Sequence, residues 1–236
     1  MHMPTRRRSG RPAAQWITHF SKAAGVSLWY GCHSSRAFCR LASEGPGGGF
    51  GRGVLRVAAH HVLDIAQNSV KANAKIVTIF FSVDERKWLT MTFEDDGCGM
   101  PPALLATVTD PFTTTRTTRK VGLGIPLLKE NAEMTGGSVD IRSEVGVGTT
   151  LTATFNLGHI DCPPMGAMCD TLLTLVVLNP QTPDFVFEAR SPGHEASFDT
   201  RAVKAALGDV PLNEPDVVEW IRESINDEFK PIMEVQ

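Results

Sequence analysis

Four short motifs between residues 64 and 149 carry the side chains best suited to chemistry. They are Asp64-Ile-Ala-Gln-Asn68, Asp95-Asp96-Gly97-Cys98-Gly99, Gly122-Leu123-Gly124-Ile125 and Gly146-Val147-Gly148-Thr149. Each motif alone is a weak signal, because glycine pairs are common in turns. Together they supply an acid and an amide for a metal ion and water, a carboxylate for a base edge, and glycine loops for phosphates. The set predicts an ATP site.

The first motif places two oxygen-bearing side chains on one helix face. Asp64 and Asn68 are four residues apart, which is about one helical turn. Carboxylate and amide oxygens suit Mg²⁺ and can orient a water or hydroxyl, so Asp64 is the catalytic candidate and Asn68 the metal ligand. The alternative is an amphipathic helix with exposed polar residues. His60 and His61 precede the motif, and packing or capping explains them better than a phosphoacceptor role.

The second motif opens a glycine-rich turn directly after a predicted strand. A carboxylate at that place, Asp95, can accept a hydrogen bond from an adenine amino group. Gly97 and Gly99 let the backbone approach the ring, because they have no side chain. The alternative is an ordinary Asp-Gly turn. We interpret Cys98 as a bystander.

A run of hydroxyl and cationic residues leads into the third motif, just before a predicted helix. Free N–H groups and the helix dipole favour anions at such a terminus. The spacing is neither that of a P-loop nor that of a dinucleotide fingerprint. A polar mobile loop is the alternative, and it is compatible with a lid over ATP. The candidate phosphate contacts are Thr114, Arg116, Arg119, Lys120, Gly122, Leu123 and Gly124.

Hydrophobic periodicity predicts the elements that position these motifs. The predicted helices are 55–70, 101–108, 123–134, 164–178, 201–207 and 214–229, and the predicted strands are 75–82, 88–94, 138–143, 149–157, 185–189 and 196–199. A sheet backed by helices on one face is an α/β two-layer sandwich. We therefore expect this fold for residues 54–158 and a small α+β unit for residues 159–236, which packs on the first domain because it is marginal alone.

The first 53 residues differ in charge from the rest of the chain. They hold eight Lys or Arg and one acid, whereas residues 54–236 hold fifteen Lys or Arg and twenty-five acids, a net of −10. We expect residues 1–53 to be a disordered or non-native extension, with a transit peptide as the alternative. The acidic body argues against nucleic-acid binding.

Composition also restricts the setting of the protein. No run approaches the roughly eighteen apolar residues of a membrane span. The five cysteines are irregularly spaced, so they do not form a disulfide framework and indicate reduced thiols in a cytoplasmic protein. Cys162, Cys169 and His159 allow a weaker hypothesis of a metal or redox site in the tail, although their spacing is not that of a zinc site.

The motifs resemble the GHKL ATPase superfamily, the fold shared by gyrase, the heat-shock-ninety chaperones, histidine kinases and mismatch-repair ATPases. The resemblance covers about residues 55–158. It implies a Bergerat-type sandwich, in which a mixed sheet carries helices on one face, with ATP and Mg²⁺ as cofactors. By that likeness the site residues are Asn68 for Mg²⁺, Asp95 for adenine, Gly97 and Gly99 for the base pocket, Gly122 and Gly124 for the lid and phosphates, and Thr149 nearby.

Within the superfamily, Asp110-Pro111-Phe112 and the short lid look like the histidine-kinase version. Closer still, the chain resembles small histidine-kinase-like proteins encoded beside iron–iron hydrogenase genes in anaerobic bacteria. The chain departs from the wider superfamily in two respects. Residues 1–53 show no dimerising helical hairpin of the kind that precedes the ATP domain of a standard histidine kinase, and Asp64 stands where gyrase-like and anti-sigma kinase members carry a catalytic glutamate.

Two functions follow from this reading. The first is Mg²⁺-dependent transfer of the ATP γ-phosphate to a partner protein in signalling, with Asp64 orienting the acceptor. The second is an ATP-dependent switch, in which lid closure changes how residues 159–236 engage a protein partner with little or no hydrolysis. A homodimer is compatible with either function.

Overall fold

The computed structural model describes residues 58–110 and 123–234. These residues contain six helices and six strands. They are α1 (Ala58–Lys71), β1 (Ile76–Val83), β2 (Trp88–Asp95), α2 (Pro102–Leu105), α3 (Gly124–Met134), β3 (Val139–Glu144), β4 (Gly148–Asn156), α4 (Met168–Leu178), β5 (Asp184–Ser191), β6 (His194–Asp199), α5 (Thr200–Leu207) and α6 (Pro215–Met233). Residues 1–53, predicted to be an extension, lie outside the described residues.

The strands form one six-stranded sheet in the order β3-β4-β2-β1-β5-β6. All neighbours are antiparallel except β1 and β5, which are parallel. Strands β5 and β6 belong to the predicted C-terminal unit, so this unit continues the sheet of the first domain at the β1 edge. The sheet is therefore mixed, as predicted.

Strand alternation places one row of side chains in the core. On β1, residues 77, 79, 81 and 83 are buried while the residues between them are partly exposed. Register aligns Ile79 with Phe93 on β2 and with Phe187 on β5, so the buried residues share one face. Residues from α1, α3, α4 and α6 complete the same core. The predicted α/β two-layer sandwich is confirmed.

The β1–β2 turn is built by one carboxylate. Asp84 Oδ1 accepts hydrogen bonds from the amides of Arg86 and Trp88, at 2.9 and 2.8 Å. Lys87 takes the left-handed conformation with φ +61°. An aspartate that bonds backbone amides two and four residues ahead stabilises such a reversal.

Helix α4 begins at Met168 rather than at Pro164, where the sequence predicted it. The carbonyls of Pro164 and Met165 accept hydrogen bonds from the amides of Ala58 and Ala59, at 2.9 and 3.0 Å. Because these carbonyls accept the first amides of α1, they do not accept the amides of a helix that begins at Pro164. The predicted helix at 101–108 is likewise shorter and covers 102–105.

Candidate functional site

Helix α1 turns its apolar residues into the core and two site residues outward. Val62, Ile65 and Ala66 are buried, whereas Asp64 is half-buried and Asn68 is exposed. The structure therefore presents a carboxylate and an amide oxygen from one helix at the accessible surface. Both groups are hard oxygen donors, the type of ligand that magnesium ions prefer.

Glycine at position 124 lets α3 approach this pair. A Cβ added at Gly124 would lie 3.1 Å from the Asp64 Cβ and 3.6 Å from Asp64 Oδ2. Leu123 precedes α3 as its N-cap residue. The third motif thus brings a helix N-terminus, whose dipole favours anions, beside the first motif.

The Asp95 carboxylate is fixed by two donors. Its Oδ2 accepts the Ser69 hydroxyl at 2.7 Å, and its Oδ1 accepts the amide of Gly97 at 3.0 Å. Asp95 itself is half-buried at the end of β2. Since each carboxylate oxygen has two lone pairs, acceptor capacity is left for a base amino group. The site is chemically suited to adenine.

Residues 96–99 are held to the elements around them. Asp96 Oδ1 accepts the amides of Lys75 and Ile76 at 2.6 and 2.9 Å, and these bonds, that of Ile76 most of all, lower the pKa of the Asp96 carboxyl. The Cys98 amide donates to the carbonyl of Ala72 at 2.9 Å. The loop after Asp95 is therefore anchored to the start of β1 and to the end of α1.

The fourth motif is more than a hairpin turn. A Cβ on Gly148, where φ is +138°, would lie 1.9 Å from the carbonyl oxygen of Asp95, and the Gly146 amide donates to the Cys98 carbonyl at 2.9 Å. Thr149 pairs with Asp95 across β2 and β4. The structure thus brings the second and fourth motifs into direct contact.

The Ser143 hydroxyl lies within hydrogen-bonding distance of three other groups, a role that the sequence did not predict. Its hydroxyl accepts the Met100 amide at 2.8 Å, donates to the Gly148 carbonyl at 3.0 Å and lies 2.9 Å from Thr149 Oγ1. A serine on an exposed edge strand gives no sequence signal for this role. Ser69 was also missed, although a polar residue on the apolar face of α1 is a detectable signal.

His61 is a packing residue. It is fully buried, and its Nε2 lies 2.7 Å from the Asn131 amide nitrogen on α3. This bond ties α1 to α3 one turn before Asp64. His60, by contrast, is exposed.

Five predicted phosphate contacts lie outside the described residues. They are Thr114, Arg116, Arg119, Lys120 and Gly122. Their roles stay predictions.

Cys162 and Cys169, the thiols of the predicted metal or redox site, are both partly buried. Burial raises the pKa of the Cys162 thiol, and burial with the nearby charges of Asp170 and Glu234 raises that of Cys169. A raised pKa disfavours the thiolate that binds metal. Within residues 58–110 and 123–234, no three His, Cys, Asp or Glu side chains are grouped to hold an ion.

One family model matches the segment that contains the four motifs. Residues 53–159 match the family described as "Histidine kinase-, DNA gyrase B-, and HSP90-like ATPase". This segment is less than half of the chain, and it contains all four motifs. The predicted superfamily is thereby supported for these residues.

Among curated proteins, the chain is similar to two sensor proteins over a short segment. It is 35% identical over 72 residues to a "Putative sensor protein" of Shewanella frigidimarina (strain NCIMB 400), covering 30% of this chain and 11% of that protein. It is 37% identical over 67 residues to "Sensor kinase CckA" of Brucella abortus (strain 2308), covering 28% and 7%. The matched segment spans about a tenth of these relatives.

Two solved structures overlap with parts of the fold. "Crystal Structure of N terminal domain of a DNA repair protein" is 12% identical with a TM-score of 0.45, covering 65% of this chain and 57% of that one. "Crystal structure of ShkA full-length in complex with AMPPNP" is 25% identical with a TM-score of 0.35, covering 41% and 20%.

None of the helices described between residues 58 and 234 is both long and apolar enough to cross a membrane.

Proposed function

We propose that residues 54–158 bind ATP with Mg²⁺ and that the protein transfers the γ-phosphate to a partner protein in signalling. One observation carries the ATP assignment. The Asp95 carboxylate is held by Ser69 and Gly97 at a strand end, between glycines of two motifs, inside the segment that matches the ATPase family. The two curated relatives are described as sensor proteins, which supports a signalling role.

The residues take roles that follow from their positions. Asp95 accepts the adenine amino group, and Asn68 holds Mg²⁺, which when bound offsets the negative charge of the phosphates. Asp64 lies one turn from Asn68 and beside the start of α3, so its carboxylate orients the hydroxyl or imidazole that attacks the γ-phosphate. We assign Arg116, Arg119 or Lys120 to the developing phosphate charge on the sequence pattern alone.

The ATP assignment is tested by calorimetric titration of Mg-ATP into the full chain. We expect Asn68→Ala and Asp95→Asn each to weaken binding at least tenfold, since each removes a polar contact to the ligand. Asn213→Ala and Asp209→Asn are matched controls, because both residues are exposed in the α5–α6 connection. Equal affinities in site and control variants would contradict the assignment.

Phosphotransfer is tested separately with γ-labelled ATP and candidate partner proteins. We expect label to reach a partner and the transfer to vanish in Asp64→Asn while ATP affinity is retained. No transfer to any partner, with intact ATP binding, would count against the kinase function.

A second candidate function is an ATP-dependent switch, and one contact favours it. The amides of Ala58 and Ala59 on the site helix α1 donate to carbonyls of Pro164 and Met165, at the start of the C-terminal unit. These bonds give a direct route by which a change in the position of α1 would reach residues 159–236. A partner pull-down that is indifferent to ATP would exclude this function.

Other expectations from the sequence stay predictions. These are the narrower resemblance to proteins encoded beside hydrogenase genes, the cytoplasmic location and a homodimer.

A further inference from the structure

Ser69 is a polar residue on the buried face of α1. Its neighbours on that face, Val62, Ile65 and Ala66, are apolar, and Ser69 is only 4% exposed. Burying a hydroxyl without a hydrogen bond is costly, so a serine at such a position needs a partner. Here the partner is Asp95 Oδ2, 26 residues away in sequence and 2.7 Å away in space.

The C-terminal end of α1 is hydrogen-bonded to, and packed against, the loop that follows Asp95. Beside the Ser69 bond, the Cys98 amide donates to the Ala72 carbonyl. A Cβ on Gly97 would lie 2.7 Å from the Ala72 Cβ, so the loop packs directly on the helix. The carboxylate is therefore oriented by a helix whose position is set by the core.

Both donors leave Asp95 as an acceptor. Ser69 donates to Oδ2 and the Gly97 amide donates to Oδ1, so each carboxylate oxygen keeps a lone pair that can accept a further donor. A 6-aminopurine presents an N–H donor to these lone pairs. A 6-oxopurine presents a carbonyl oxygen, which they repel, so the discrimination depends on how firmly the carboxylate is held.

We propose that Ser69 is a positioning residue that holds Asp95 as an acceptor and thereby sets the preference of the site for 6-aminopurine over 6-oxopurine nucleotides. This inference rests on the proposed ATP binding. It adds a residue outside the four motifs to base recognition. It also assigns the positioning of Asp95 to Ser69 and the proposed metal binding to Asn68, the adjacent residue of the same helix.

The test compares the dissociation constants of Mg-ATP and Mg-ITP, which differ at the purine 6-position, for the full chain. We expect wild type to prefer ATP. In Ser69→Ala we expect ATP affinity to fall about tenfold, which is 1.4 kcal/mol and near the lower end for a hydrogen bond to a charged group. ITP affinity should change less than about twofold, so the ATP/ITP ratio falls by nearly the same factor. Ser69→Thr keeps the hydroxyl and should restore the ratio.

Thr200→Ala is the matched control for loss of a buried hydroxyl. Thr200 is 1% exposed. Its hydroxyl accepts a hydrogen bond from the Phe185 amide and donates one to the Asp184 carboxylate, and both of these residues belong to β5. We expect this variant to lose stability and to keep the wild-type ATP/ITP ratio. If Ser69→Ala also keeps the ratio, Ser69 is merely structural and the inference is overturned, while the proposed ATP binding stands.

If Ser69→Ala fails to fold, the ATP/ITP preference of Asp95→Asn gives an independent test. The Gly97 amide requires an acceptor, so it orients the amide oxygen of the new asparagine, and the NH₂ group then faces Ser69 and the base. We expect the preference to move toward ITP. An Asp95→Asn protein that still prefers ATP would overturn the inference, and a wild type that binds neither nucleotide would overturn it together with the proposed function.

Discussion

Replacing Gly99 by alanine should destabilise the protein much more than the same change at Gly146. Both glycines adopt left-handed conformations, with φ +64° and +79°. A Cβ at Gly99 would lie 2.0 Å from the carbonyl oxygen of Glu144 and 2.6 Å from its carbon. A Cβ at Gly146 would meet nothing within 4 Å. The pair therefore separates the cost of backbone conformation from the cost of a steric clash.

The magnitude follows from these two costs. A left-handed conformation costs a non-glycine residue about 1–2 kcal/mol. Replacing glycine by alanine also lowers the entropy of the unfolded chain, which offsets part of this cost equally in both variants. At Gly99 the clash is with backbone, which no side-chain rotation relieves, and the hairpin must move by about 1 Å. Such overpacking costs about 1–3 kcal/mol more. We expect a loss of about 1 kcal/mol for Gly146→Ala and of about 3 kcal/mol for Gly99→Ala.

Urea unfolding measures both losses as free energies, provided that the denaturant slopes stay equal. Gly99→Ala should also weaken ATP binding, because the displaced loop carries the Asp95 carboxylate, whereas Gly146→Ala should not. Equal destabilisation of the two variants would refute the packing of the β3–β4 hairpin on the Asp95 loop.

Three further predictions concern stability. Burial raises the pKa of the Glu228 carboxyl above its ordinary 4.5, although the Ser197 amide donates to it. The stability linked to this group is present below pH 4.5 and is lost as the pH rises through the folded-state pKa, so Glu228→Gln should stabilise the protein at pH 7 and not at pH 4 in thermal melts. Backbone hydrogen bonds lower the pKa of Asp96 below 3.8, so Asp96→Asn should destabilise at pH 7, with a penalty that shrinks as the pH falls through the folded-state pKa. Asn131→Ala removes the buried bond to His61 and should cost about 2 kcal/mol in urea unfolding.

The fold was predictable because its local signals agree with one another. Alternating apolar residues gave the β1–β2 hairpin within one residue of its observed ends, and the 3.6-residue period gave α1. Where the prediction was wrong, tertiary bonds decided the outcome. Residues 164 and 165 read as helix by composition, but their carbonyls accept amides from α1, more than a hundred residues earlier in the chain.

The candidate site likewise combines residues that local sequence indicates with contacts that only the tertiary structure sets. Asp64, Asn68 and Asp95 could be named as candidates from the sequence, because their chemistry and spacing are local properties. The bond of Ser69 to Asp95 could not, because the pattern of α1 marks Ser69 as a polar residue on a buried face but does not say which distant group it contacts. The bond of Ser143 to Met100 joins residues 43 apart and leaves no periodic trace.

By itself, the sequence determined the order of elements, the face of each that is buried and the residue types available for nucleotide chemistry. These depend on periods of 2 and 3.6 residues and on side-chain chemistry, which a short window of sequence contains. The tertiary structure decided that β5 lies beside β1, that the fourth motif closes on Asp95 and that Ser69 orients its carboxylate. Contacts between distant residues depend on how the whole core packs, and no local period encodes that packing.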